Sequence, residues 1–142
     1  KIFFPNSKII HCVRESKDNI LSLYKNSFDE HLNFTYNFDD LFIFYKEYLE
    51  LMNFWKKKFP NSMYDAIYEK IIEEPQIEIE KILKYCDLEY EENCTKFYNN
   101  KRLIKTVSSS QARKPIYKSS VSSFRNYEKY FEDIFLKLDN LK

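Results

Sequence analysis

The sequence predicts a helix-rich α/β domain, and three observations carry that prediction. The run from Ile9 to Val13 is short, apolar and partly β-branched, as a covered strand should be. The run from Met63 to Tyr68 reads as a second strand. Between and after these runs, apolar residues recur at helical spacing, most clearly from Leu41 to Trp55.

The elements follow in order. Ser16 is the expected cap of the helix after the first strand, and Asp18 suits its positive end. Ile20, Leu21 and Tyr24 give that helix an apolar face, and it should run to about Asn26. The polar segment from Ser27 to Asn37 reads as an irregular loop. Asp39 or Asp40 should cap the next helix, which runs to about Lys58. Its stripe of Leu41, Phe44, Tyr45, Tyr48, Leu51, Met52 and Trp55 reads as core, and Lys56-Lys57-Lys58 as a solvated helix end. Pro60 and Asn61 break the pattern before the second strand.

Pro75 opens a further helix carrying Ile77, Ile79, Ile82, Leu83 and Tyr85. Asn93 to Asn100 reads as a short helix. Tyr127 to Leu141 reads as the last one, with Tyr130, Phe131, Ile134, Phe135 and Leu138 inward.

Composition bounds the function. The chain has 142 residues, enough for one domain, and 32% are charged with a formal net charge of +1. That balance argues against a general nucleic-acid binder, but not against one phosphate pocket. Cys12, Cys86 and Cys94 lack metal-like spacing and read as buried thiols in a reducing compartment. No metal site is expected. No apolar run approaches the ~20 residues of a membrane span. There is no glycine, so this chain contains no glycine-rich phosphate loop.

Two segments carry chemistry. A helix N-terminus behind a strand is a ready anion site. Arg14 at the strand tip can fork onto a phosphate, and Ser22, eight residues on, can add a hydroxyl. The segment from Thr106 to Tyr127 is serine-rich and carries Arg113, Lys114, Lys118 and Arg125 without an acidic residue. Serine hydroxyls interleaved with bases make good phosphate contacts. His11 lies within the first strand and reads as a packed histidine rather than a catalytic one.

The Arg14…Ser22 spacing resembles the nucleotide 3′-phosphate site of sulfotransferases, with Phe4 to His11 as its lead-in. Tyr68-Glu69 is similar to the family's strand ending Tyr-Glu-Asp-Leu, although Lys70 departs from the usual Asp. Tyr85-Cys86-Asp87-Leu88 and Cys94-Thr95-Lys96-Phe97 also match family patterns. The segment from Ser108 to Tyr127 resembles the family's loop that closes over the nucleotide. There Phe124 replaces the usual Trp, and Ser122 stands where glycine is frequent.

The resemblance implies a P-loop-kinase-like fold, a parallel sheet with covering helices. Residues 1–142 would be the C-terminal portion of the domain, without its N-terminal phosphate loop. It implies sulfuryl transfer from 3′-phosphoadenosine 5′-phosphosulfate to a hydroxyl or amine, leaving adenosine 3′,5′-bisphosphate, with no metal. The implied nucleotide contacts are Arg14, Ser22, Tyr68, Ser108, Gln111, Lys114 and Arg125. The catalytic base is not assigned to any residue here, and the chain alone is expected to be inactive. A cytoplasmic location and upstream tetratricopeptide repeats complete the expectation. The alternative is a non-catalytic nucleotide-binding or structural remnant of the same fold.

Overall fold

Both predicted strands form, and they pair with each other. The computed structural model describes residues 3–26, 28, 32–100, 103 and 112–141. Strand β1 is Ile9–Val13 and strand β2 is Met63–Ile67. They run parallel, with His11 in register with Asp65 and Val13 with Ile67. The helices are α1, Ser16–Lys25; α2, Phe38–Lys58; α3, Tyr68–Glu73; α4, Pro75–Tyr85; and α5, Glu132–Asp139. Parallel strands with helices make this an α/β architecture. The chain divides into two units, one of Lys1–Val13 and Asn61–Lys118, the other of Arg14–Pro60 and Ser119–Lys142.

In the first unit, α3 and α4 pack against β2. Strand β1 is not covered as expected. Ile9, Ile10 and Cys12 are exposed, because its only described strand partner is β2 and the described helices of the unit lie on β2. Ile10 and Cys12 share one face of the pleat; His11 and Val13 are half-buried on the other, where Ile9 at the strand's start is exposed. His11 Nδ1 meets the Asp65 carboxylate at 2.8 Å across the register, so it is a packed residue.

The cysteine expectation is corrected on the same grounds. Cys12 sits on the exposed side of β1, and Cys86 and Cys94 are only half-buried at helix and turn ends. All three thiols are free.

Pro75 occupies the first turn of α4, where its missing N–H costs nothing. The other end of α4 is a Schellman motif. The Leu88 N–H donates to Leu83 O at 2.9 Å and the Asp87 N–H to Lys84 O at 3.2 Å, with Asp87 left-handed at φ 57°. Within α4, Glu78 is buried and accepts from Lys81 Nζ at 2.5 Å. That bond, against a smaller desolvation effect, holds the Lys81 amine above its ordinary value. The short helix expected at Asn93–Asn100 is two 3-10 turns, Glu92–Cys94 and Phe97–Asn99.

The second unit holds the main core. Ile20 of α1, Leu41 and Tyr45 of α2, and Ile134, Phe135 and Leu138 of α5 form one buried cluster. Each large aliphatic side chain buried there contributes about 1.5–3 kcal/mol.

The sequence expectation misses at both caps. Ser16 is already helical and its hydroxyl donates to Glu15 Oε1 at 3.1 Å, so Glu15 is the cap position of α1. At α2 the cap is Asn37, whose side-chain oxygen accepts the N–H groups of Asp39 (2.8 Å) and Asp40 (3.2 Å). Asp39 and Asp40 fall in the first turn instead, where their charge suits the helix dipole.

Only part of the α2 stripe is core. Leu41, Tyr45 and Tyr48 lie on the side facing the cluster, whereas Phe44 and Leu51 lie further round the helix, Trp55 lies toward its C-terminal end beyond the cluster, and all three are exposed. The last predicted helix is also divided. Ser123–Tyr130 winds as a 3-10 helix, the chain breaks at Phe131 (φ −134°), and α5 follows. Three residues per turn shift the phase. Tyr130 is consequently 66% exposed, although it was expected inward.

Candidate functional site

The site is built at the start of α1. Arg14, Asp18 and Ser22 are spaced by four, and Asp18 and Ser22 share one helix face, a turn apart. The half-buried Arg14 donates from Nη2 to the carbonyl of Ser120 at 2.7 Å. Asp18 is 1% exposed. Its Oδ2 accepts the Ser122 N–H at 2.7 Å, and its Oδ1 accepts the Ser123 hydroxyl and the Phe124 N–H, both at 2.9 Å. Residues 120–124 are thus tied to the helix start at four points, by bonds that include charged groups and are the stronger for it.

Local structure explains why the loop needs this. The 3-10 helix Ser123–Tyr130 has no side-chain cap of its own. Its first N–H groups would be orphaned, and Asp18 supplies the missing acceptor from another element. Ser122 turns the chain into that helix in a left-handed conformation, φ 56° and ψ 24°. This is the position where the sequence resemblance places a glycine. Phe124 then seats its ring edge-on against Phe135, centroids 5.7 Å apart, and Lys17 Nζ lies 5.2 Å from its centre. At the far end of α1, Lys25 Nζ donates to the Tyr127 hydroxyl at 3.2 Å.

Arg14, Ser22 and Arg125 belong to the second unit. Ser22 is half-buried and its carbonyl accepts from Asn26 Nδ2 at 2.7 Å. Among the described residues, no hydrogen bond engages its hydroxyl. Arg125 is exposed, and its backbone N–H donates to Ser122 O at 3.2 Å. Tyr68 and Lys114 belong to the first unit, Tyr68 half-buried as the first residue of α3 and Lys114 exposed. Ser108 and Gln111 lie outside the described residues.

The arrangement suits an oxyanion. It offers a guanidinium held by a backbone carbonyl, a hydroxyl two turns along the helix, and the N-terminal end of α1. Among the described residues no group of three or more His, Cys, Asp or Glu could hold a metal. No helix among them is long and apolar enough to cross a membrane.

Sequence reasoning missed Asp18 as the centre of the site. Its signal in the sequence is the spacing of four from both Arg14 and Ser22, beside a first-turn position that by itself predicts only a dipole effect. The Ser120 carbonyl carries no sequence signal.

Comparison with known proteins bears on these residues. The model of the Sulfotransferase family matches residues 1–92, a stretch that includes Arg14, Asp18, Ser22 and Tyr68. An uncharacterized protein of Aquifex aeolicus (strain VF5) is 36% identical over 136 residues, covering 94% of this chain. A Caenorhabditis briggsae protein named "Putative protein-tyrosine sulfotransferase" is 24% identical over 146 residues, covering 97% of this chain. The chain spans 18% of the length of the first relative and 50% of the second. Since the family model covers well over half of its residues, the chain belongs to the sulfotransferase family.

Proposed function

We propose that this chain supplies the 3′-phosphate-binding part of a sulfotransferase that takes 3′-phosphoadenosine 5′-phosphosulfate as donor. One observation carries the reading. The two segments singled out in the sequence, the Arg14…Ser22 helix start and the serine-rich loop, are joined by the Arg14–Ser120 bond and the Asp18 bonds. Residues 14–22 and the end of the serine-rich segment, residues 119–127, each resembling part of one nucleotide site, therefore meet within one unit.

The residues present fit part of the donor. Arg14 is fixed by one Nη on Ser120 and supplies the fork geometry that suits a phosphate, and Ser22 has a hydroxyl no described residue uses. Arg125, Lys114 and Tyr68 are further proposed contacts, as are Ser108 and Gln111. The 5′-phosphosulfate is not provided for, because the chain has no glycine from which to build its loop.

When bound, the donor supplies an activated sulfuryl group for in-line transfer to a hydroxyl or amine. Arg14 and Ser22 act on it from a distance. They hold the nucleotide by its 3′-phosphate and so fix its orientation. The base that accepts the acceptor's proton and the loop holding the sulfate end belong, in this reading, to other residues of the parent protein. That protein would be a cytoplasmic enzyme carrying a P-loop-kinase-like domain, with tetratricopeptide repeats upstream.

The second reading is a non-catalytic remnant that retains nucleotide binding, and a glycine-rich loop elsewhere in the parent protein would speak for the enzyme instead. Two measurements decide. Adenosine 3′,5′-bisphosphate should bind the protein, and Arg14→Ala should weaken it by one to two orders of magnitude, as loss of a charged contact does. Equal affinity in both proteins would sink the placement of the site. Donor-dependent sulfuryl transfer by the gene-encoded protein separates the enzyme from the remnant.

A further inference from the structure

The Asp18 carboxylate is buried beside a residue proposed to bind a phosphate, which is a costly place for a negative charge unless it is needed. Its surroundings show what it is used for. Both oxygens are occupied, Oδ2 by the Ser122 N–H and Oδ1 by Ser123 and Phe124, so the charge is spent on three donors of the loop. Those donors open a 3-10 helix that has no cap of its own. Two residues before the first of them, the same loop presents the Ser120 carbonyl to Arg14.

The bonds form a chain of dependence. Asp18 fixes Ser122 to Phe124, these fix where the Ser120 carbonyl lies, and that carbonyl fixes one arm of the Arg14 guanidinium. We propose that Asp18 is a positioning residue, which aims Arg14 at the nucleotide 3′-phosphate by pinning residues 120–124. This inference rests on the reading of Arg14 as a 3′-phosphate ligand. It adds that the aim is set by a carboxylate that never touches the nucleotide. Asp18 does not compete for the phosphate's place, because both of its oxygens are engaged by the loop donors.

The test uses the gene-encoded protein and two probes, adenosine 3′,5′-bisphosphate and adenosine 5′-phosphate. Their affinity ratio isolates the 3′-phosphate contacts. Asp18→Asn keeps the shape but loses one acceptor, and should cut the ratio about tenfold, the size expected for one charged hydrogen bond. Affinity for adenosine 5′-phosphate should stay unchanged. Amide exchange at Ser122 and Phe124 should accelerate in the same variant. Ser123→Ala removes a single donor to Asp18 and should lower the ratio about threefold, which keeps the test available if Asp18→Asn does not fold.

A ratio that survives both substitutions while the amides lose protection makes Asp18 a purely structural clasp and overturns the proposal. Unchanged amide exchange overturns it as well. A wild-type protein that does not distinguish the two nucleotides removes the 3′-phosphate reading, and the proposal falls with it. A wild-type preference that Asp18→Asn retains defeats the Asp18 inference alone.

Discussion

The guanidinium of Arg14 holds the carbonyl of Ser120 at 2.7 Å, across 106 positions of sequence. The bond uses one nitrogen of a planar fork, so its orientation is as important as its charge. Arg14→Lys keeps the charge and loses the fork. It should weaken adenosine 3′,5′-bisphosphate about tenfold, in calorimetric titration, while Arg14→Ala weakens it more. If lysine binds as tightly as arginine, charge alone governs the site.

Ser122 supplies a second prediction. Its φ of 56° carries a strain of about 1 kcal/mol for a residue with a Cβ. Ser122→Gly removes the Cβ and leaves the backbone N–H on Asp18 intact. The urea midpoint should rise by the equivalent of about 0.5–1 kcal/mol, and Ser122→Val should lower it by at least as much. An unchanged midpoint in both would show that the turn is unstrained.

At the start of α2, Asn37 rather than either aspartate carries the cap. Asn37→Ala should cost about 1 kcal/mol in chemical denaturation. Asp40→Ala, which keeps the N–H that Asn37 accepts, should cost no more than a few tenths. The reverse ranking would return the cap to the acidic residue.

A pH prediction concerns Lys81. Its amine is raised above the ordinary 10.5, first by its hydrogen bond to Glu78. In Glu78→Gln the Lys81 titration, followed by NMR, should move down toward the ordinary value. A group raised in the folded state adds stability fully below its unfolded pKa and loses it as pH climbs through the folded value. The difference between wild type and Glu78→Gln that arises from Lys81 should therefore disappear only at strongly alkaline pH. A difference that vanishes near neutrality would have another origin.

The fold was legible where one short pattern determines one element. The strand at Ile9–Val13, the helix running to Lys58 and the Pro75 helix start form within the expected bounds, because β-branching, helical period and proline chemistry act within a few residues. What was not legible depended on distant partners. Asp18 looked like a first-turn acid because the three donors it serves lie more than 100 positions away. Phe44, Leu51 and Trp55 looked like core because periodicity does not say how wide a face the neighbouring helices cover. The last helix was misphased because its first turns wind with a 3-10 period that apolar spacing does not reveal. In the candidate site, Arg14 and Ser22 were visible as residue types at a spacing, whereas a backbone carbonyl such as that of Ser120 has no identity to read.

Among the described residues, Asn61, Asp87 and Ser122 are left-handed, a conformation that favours glycine. Each holds a local strain of about 1 kcal/mol or less. A chain of this length would ordinarily carry about ten glycines, and each one absent narrows the denatured ensemble by about 0.4–1 kcal/mol where its replacement fits. The disorder that folding must overcome is smaller here than three strained turns would suggest. Stabilising substitutions to glycine should therefore be sought at those turns, since glycine introduced elsewhere would loosen the unfolded polypeptide.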